Sequence, residues 1–315
     1  MSPLFLRTVS RIGRWMTAPG IALALLGSPV TQAQTMDLDD SEDAVRAMRK
    51  LQCHLEDGKP AIYSWTGNAY SRVPGEKDRL LFTYEGMNIR TCQTVENPER
   101  GYGYRMVSRE VLVYLDPETG EVVDRWTNPW TGQEVEVVHI SNDPVNSRGP
   151  LHANGPRGPY QFGATIQDGK GWIYFEVPLF YPNVLGGKYQ PYVGGTYQAM
   201  EMFSFYFDAD KLLDPAVGGL DDAFVGWTRV GQWLPWMEMG SRVGSVMYHG
   251  AGKRIRSFED LPDTLERIIN ERYPEYREPP PVDDTRPNET SWSYFKKHLT
   301  AKSENSAKSE KSREH

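Results

Sequence analysis

The sequence predicts a mainly β protein, either an antiparallel barrel or a strongly curled sheet with short peripheral helices. Three observations predict it. Aromatic residues make up 12% of the 315 residues, alongside 29 Gly and 23 Pro, a load that suits many short strands joined by tight turns. Apolar residues recur with a period of two through most of the chain. Several segments are also apolar on both alternating faces. From Tyr104 to Leu115, for example, Tyr104, Met106, Leu112 and Tyr114 lie on one side and Val107, Val111 and Val113 on the other. A half-exposed sheet alternates apolar with polar, so this one is either covered on both faces or closed into a barrel.

The first segment reads as a targeting signal. Arg7, Arg11 and Arg14 precede an apolar stretch from Ala18 to Leu26, and Thr31-Gln32-Ala33 offers small residues at the cleavage positions. That order predicts a signal peptide over 1–33, cut after Ala33, and a periplasmic or secreted destination. The apolar run is too short to span a bilayer, so no stable membrane span is expected after cleavage. Mean hydropathy is −0.58, which also argues against an integral membrane protein.

The remaining elements follow in order. Asp40 or Ser41 caps a short helix with Ala44, Val45, Met48 and Leu51 on one face. Ala61 to Val73 reads as a hairpin turning at Thr66-Gly67-Asn68, and Arg79 to Val95 as a long strand with a bulge at Glu85-Gly86. Tyr104 to Leu115 is the next strand, and Asp116 to Gly120 turns it into Val122 to Trp126. A turn at Asn128 to Gly132 then feeds Val135 to Ile140.

Asn142 to Pro159 is a long Pro- and Gly-rich excursion. Further strands are expected at Gly171 to Val177, Thr196 to Phe207, Ala223 to Val230 and Arg242 to His249. Leu261 to Arg272 is a helix bounded by Pro262 and Pro274, and Trp292 to Leu299 a last short helix. The body from 34 to 300 reads as a single β-rich domain, and the Ser-, Lys- and Glu-rich tail over 301–315 as disordered.

Charge and motifs exclude several chemistries. The formal charge is −7, and the leader carries three Arg and no acid, so the mature part is more acidic still. An acidic surface repels phosphate backbones, and no nucleic-acid partner is expected. No phosphate-binding glycine loop, dinucleotide fingerprint or nucleophile elbow is present, and no histidine pair has metal-ligand spacing. No cofactor and no metal are expected. The two cysteines, Cys53 and Cys92, are free to pair in an oxidising compartment, two separate buried thiols being the alternative.

Charged residues inside apolar strands are the strongest site signal, because buried charge is costly unless paired. Glu85, Arg109, Glu110 and Glu201 stand in such strands, and His139 ends one where a loop begins, so these five are the catalytic candidates. Each is also compatible with a purely structural network. Asn88, Arg90 and Asn142 share those segments. Trp126, Trp130, Trp233, Trp236 and Met237 supply an adaptable apolar wall, and His249 ends a strand before Gly250-Ala251-Gly252. These nine are the ligand-binding candidates.

Several segments together resemble one family. They include Tyr84-Glu85-Gly86-Met87-Asn88-Ile89-Arg90, Ser108-Arg109-Glu110, Asn128-Pro129-Trp130-Thr131-Gly132, Pro235-Trp236-Met237-Glu238-Met239-Gly240 and Arg286 to Trp292. With Asp39 to Cys53, Tyr114 to Gly120 and His139 to Asn146, they resemble the domain-of-unknown-function 1838 family of mainly bacterial proteins. The resemblance implies a single folded unit and supplies no reaction and no catalytic residues.

The expected function is therefore an exported protein binding a small apolar or aromatic ligand in a barrel-like pocket. Two other classes stay open: a cofactor-independent lyase, isomerase or hydrolase using buried Glu, His and Arg, and a structural or interaction module of the envelope. The ligand, the oligomeric state and the strand register are not specified. A one-residue slip would exchange Arg109 for Glu110 on the inner face.

Overall fold

Two-residue alternation builds a ten-stranded antiparallel sheet. The computed structural model describes residues 35–185 and 189–313, which belong to one compact unit, Gln34–His315. The signal peptide expected over 1–33 lies outside the described residues. In chain order the strands are β1 (Ala61–Arg72), β2 (Leu80–Thr94), β3 (Gly103–Leu115), β4 (Arg125–Thr127), β5 (Glu134–Glu136), β6 (Ile140–Asn142) and β7 (Leu151–His152). They continue with β8 (Asn154–Gly155), β9 (Gly158–Pro159), β10 (Thr165–Gln167), β11 (Lys170–Pro182), β12 (Thr196–Asp208), β13 (Phe224–Gln232) and β14 (Ser245–Ile255). The helices are α1 (Ser41–Gln52), α2 (Ala209–Leu213), α3 (Asp263–Arg272) and α4 (Ser291–Arg313).

The sheet runs β10-β11-β12-β13-β14-β1-β2-β3-β6, with β7 also beside β3, while β4–β5 and β8–β9 form separate hairpins. Every pairing is antiparallel, and β1 lies between β2 and β14, which brings the first and last long strands together. Among the described residues no pairing joins β10 to β6 or β7, so the expected barrel does not close. The sheet curls instead. Side chains of β11 and β3 line one cavity although β12, β13, β14, β1 and β2 lie between them.

The doubly apolar strands have the expected cause, a cover on each face. On the outer face of β1 to β3, Ile62, Met87, Ile89, Val111 and Val113 pack against Leu265, Ile268 and Ile269 of α3. The inner face carries the aromatic residues and, between them, the charged ones. On β11 to β13 the outer face has no such cover: Tyr174, Phe180, Met200, Met202, Tyr206 and Phe224 are exposed there.

Local chemistry sets the helices. The Asp40 carboxylate accepts from the Glu42 and Asp43 amides and starts α1, whose buried face includes Ala44, Val45, Met48 and Leu51. Lys50 at its far end donates to the carbonyls of Lys211, Leu212 and Asp214, satisfying the end of α2. Cys53 and Cys92 form a disulfide that ties the end of α1 to β2.

Several local expectations are corrected. β1 does not turn at Thr66-Gly67-Asn68; Gly67 faces Gly250 and Tyr84, where a Cβ would collide with the Tyr84 hydroxyl and the His249 carbonyl. The glycine therefore serves close packing and not a turn. Glu85-Gly86 pairs regularly, and the register shifts instead between Ala69 and Tyr70. Val122 to Trp126 is reduced to a bridge at Val122 and the start of β4. α4 does not stop at Leu299 but continues to Arg313. Its Ala, Lys, Glu and Ser content suggested disorder, yet Ala, Lys and Glu are also good helix formers.

Candidate functional site

The inner face of the curled sheet encloses a cavity of about 430 Å³. Period two along each strand places its lining. Tyr63 and Trp65 come from β1, Asn88 and Arg90 from β2, and Ser108 and Glu110 from β3. Glu201, Phe203 and Phe205 come from β12, and Val225, Trp227 and Arg229 from β13. The Thr290–Ser291 step at the start of α4 adds a polar margin. One wall is aromatic: the Trp65 and Trp227 ring centroids are 6.1 Å apart, and Tyr63 meets Phe205 edge-on at 5.6 Å. Gly86, cross-strand from Trp65, makes that wall possible, since a Cβ there would lie 2.8 Å from the indole.

The other wall is charged. Glu201 and Arg229 are cross-strand partners, with Oε1 3.3 Å from Nε. Glu110 accepts from Asn142 Nδ2 at 2.8 Å, and Arg90 Nε donates to Asn88 Oδ1 at 2.7 Å. Burial pushes the Glu201 carboxyl up to about 7; Arg229 opposes the rise and the Glu110 charge adds to it. Glu110 is raised as well, again chiefly by burial, with its hydrogen bond to Asn142 opposing. Two buried carboxyls on one wall, one of them raised by the charge of the other, hold a proton more readily than an exposed carboxyl would. Among the described residues Trp65 Nε1, Arg229 Nη1 and Asn142 Oδ1 on the lining have no protein hydrogen-bond partner, while Glu289 Oε1 is met by the Lys297 ammonium.

Of the five catalytic candidates, the fold brings Glu110 and Glu201 to the cavity and leaves three outside it. Glu85 points to the outer face and accepts from the Leu265 amide at 3.0 Å, capping the first turn of α3. Arg109 shares that face, 3.3 Å from Asp143 and stacked over Tyr276, because its neighbour Glu110 takes the inward position. His139 is buried beside Tyr114, accepts from its amide at 3.2 Å, and does not line the cavity. Burial lowers its pKa to about 4, so it is a neutral structural imidazole at ordinary pH.

Among the ligand-binding candidates, Asn88, Arg90 and Asn142 line the cavity. Trp126, Trp130, Trp233, Trp236 and Met237 do not line the cavity; they belong to a packed cluster that shares Trp227 with the cavity wall, with Trp130 and Trp233 centroids 5.1 Å apart and Asn128 donating to the Met237 carbonyl. Their density marks core and not cavity wall. His249 lies on the outer face beside Thr228 Oγ1 at 3.2 Å.

Arg229, Tyr63, Trp65 and Trp227 line the cavity and were not singled out from sequence. The missed signal was phase: Val225, Trp227 and Arg229 alternate on one face of β13, in step with Glu201, Phe203 and Phe205 across the ladder. Among the described residues no three His, Cys, Asp or Glu side chains group to hold a metal, and no helix is long and apolar enough to cross a membrane.

The family model for a protein of unknown function (DUF1838) matches residues 58–299. No match was found among curated proteins. Among solved structures, DynF from the dynemicin biosynthesis pathway of Micromonospora chersina is 10% identical, over 77% of this chain and 92% of that one, at a TM-score of 0.22. A likeness that slight carries no argument about the site.

Proposed function

We propose, for a chain that belongs to the DUF1838 family of proteins of unknown function, that the inner cavity binds a small ring-containing molecule. The observation that carries this reading is the cavity itself. About 430 Å³ is the size of a small-ligand pocket, and a few polar groups converge on a mostly apolar, aromatic lining. The flat indoles of Trp65 and Trp227 suit a ring, and the unpartnered Trp65 and Arg229 donors suit an oxygen on it. Export through residues 1–33 is part of the proposal. The Cys53–Cys92 disulfide supports it, because such bonds persist in oxidising compartments.

Native mass spectrometry of protein purified from its source tests the reading. A non-covalent adduct lost on denaturation is the expected result, and the denatured mass reports cleavage after Ala33. An empty protein that no aromatic, terpenoid or steroid compound stabilises in a thermal-shift screen would sink it.

One observation favours a second reading, acid–base catalysis without a cofactor. Glu110 and Glu201 face one cavity and burial raises both, the Glu110 charge adding to the rise of Glu201, so one can hold a proton while the other accepts one. Turnover of a probe that E110Q and E201Q each abolish, with binding retained, would favour the enzyme over the binder. A structural module remains the weaker reading, since it calls for a filled interior, although the exposed outer face of β11 to β13 is the kind of surface it would use.

A further inference from the structure

Every buried arginine among the described residues has an acidic partner. Arg49 Nη2 lies 2.6 Å from Asp57, Arg109 Nε 3.3 Å from Asp143, Arg229 Nε 3.3 Å from Glu201, and Arg254 Nε 3.4 Å from Asp221. Arg90, which lines the cavity, stands outside that set: among the described residues no carboxylate reaches ion-pair contact with it, and the Glu110 charge acts on it only from farther off. Its guanidinium is nevertheless fixed. Nε donates to Asn88 Oδ1 at 2.7 Å, Nη1 rests 3.9 Å from the Met106 sulfur, and the plane stands over the Tyr63 ring, 5.2 Å from its centroid. Nη2 is left with no protein acceptor. A guanidinium removed from bulk water, held rigid and given no carboxylate in contact is costly unless something else supplies the charge.

Net charge points the same way. The lining holds three cations, Arg90, Arg148 and Arg229, and three carboxyls, Glu110, Glu201 and Glu289. Arg229 is taken by Glu201, and Glu110 spends its hydrogen bond on Asn142. When Glu110 and Glu201 share a proton the lining is positive by one charge, and a single added carboxylate neutralises it.

We infer that the ligand is a ring compound carrying one carboxylate, seated on the Arg90 guanidinium with its ring along Trp65 and Trp227. The inference rests on the binding reading above and adds the ligand's charge and its anchor. Arginine suits the role because its planar donors match both oxygens of a carboxylate. The Arg229 Nη1 and Trp65 Nε1 donors stand on the same lining for a second oxygen of the ligand, and Asn142 Oδ1 for a hydroxyl.

The test uses three probes of one shape on the purified protein: 2-naphthoate, 2-naphthamide and 2-naphthylmethylamine, followed by tryptophan fluorescence. Naphthoate is expected to bind at least tenfold more tightly than the amide, with the amine weakest. R90M is expected to bring naphthoate down to the level of the amide, with an unchanged circular dichroism spectrum as the marker that the fold has survived. The probe comparison on the unaltered protein needs no variant, so a misfolded R90M does not remove the test. Amide or amine binding as tight as naphthoate would overturn the carboxylate inference and leave the ring-binding reading standing. Binding of none of the three would overturn both.

Discussion

Glu201 and Arg229 face one another directly across the β12–β13 ladder, and their side chains close to 3.3 Å inside the cavity wall. The two ends of this pair are not equivalent. Arg229 cannot shed its charge, whereas Glu201 neutralises by taking a proton, which its burial already favours. Replacing Glu201 with E201Q reproduces its neutral form, so it is expected to leave stability within about 1 kcal/mol of the parent at pH 5 and, at pH 8, to relieve the penalty of ionising a buried carboxyl. Removing Arg229 with R229M is expected to cost about 1 kcal/mol at pH 5, where Glu201 is protonated, and roughly 3 kcal/mol at pH 8. Urea unfolding of both variants at the two pH values checks this; equal losses for R229M at both would show that Glu201 does not titrate with the pair.

His139 gives the opposite pH limb. Burial lowers its pKa from 6.5 to about 4, against the pull of Asp124 Oδ1 at 3.6 Å. Between those values the unfolded chain takes up a proton that the folded protein refuses. The contribution is thus full above pH 6.5 and is lost as pH falls towards 4, up to about 3 kcal/mol. Glu201 runs the other way, its raised pKa costing stability as pH climbs from 4.5 to about 7, so the total curve hides both. The difference between wild type and H139Q across pH 4 to 7 isolates the histidine, and a flat difference would refute its buried neutral state.

The reading of β strands from period two succeeded where the pattern is long. β3 and β12 are placed to within a residue or so because Tyr104 to Leu115 and Thr196 to Phe207 are long and rich in apolar and aromatic residues. Phase was harder. Adjacent charges such as Arg109 and Glu110 look alike in sequence, and which one faces inward depends on cross-strand pairing, Glu110 with Asn88 and Arg109 with Ile89. Tryptophan density misled for a related reason. Trp130, Trp233 and Trp236 join through Trp126 in one cluster away from the lining, while the cavity uses Trp65 and Trp227, which border that cluster from single positions in β1 and β13. The glycines opposite them, Gly86 and Gly250, read as breakers and act as clearance for rings.

That clearance is testable. A Cβ at position 86 would lie 2.8 Å from the Trp65 indole, so G86A must push the ring out of place. Overpacking of this kind is expected to cost about 1–3 kcal/mol, and the displaced ring should weaken binding of any aromatic probe at least tenfold. Gly226, on the outer face of β13, is the control, because a Cβ there meets nothing nearer than Ser204 at 3.8 Å. G226A is expected to bind and unfold like the parent. Equal behaviour of the two variants would show that the Trp65 ring is not part of the binding wall.

The cross-link between α1 and β2 makes a stability prediction. Cys53 and Cys92 are separated by 39 residues, and a loop of that length contributes about 4 kcal/mol in the chain-entropy account. The double variant C53A/C92A is expected to unfold at lower urea by about that amount, and reduction of the parent protein should reproduce the loss. Since neither cysteine lines the cavity, affinity for a ring probe measured well below the unfolding midpoint should not change. A loss of affinity without a loss of stability would mean that α1 shapes the cavity through this bond.

The final prediction joins the ligand's charge to the carboxyl pair. Glu201 faces Arg229 on β13 and Glu110 on β3, with Tyr197 on its own strand, Tyr248 of β14 against Arg229, and Arg90 on the same lining; burial raises both tyrosines, so they stay neutral near pH 7. Only the glutamates therefore change charge in that range. Below about pH 7 Glu201 keeps its proton, the lining is positive, and an anionic ring compound is attracted. Above it a second negative charge opposes the same ligand. Naphthoate affinity is expected to fall about tenfold between pH 6 and pH 8, while the neutral amide stays level. E201Q should flatten the naphthoate profile at the higher affinity. A naphthoate affinity that rises with pH, or a slope that survives E201Q, would place the titrating group elsewhere and detach Glu201 from ligand binding.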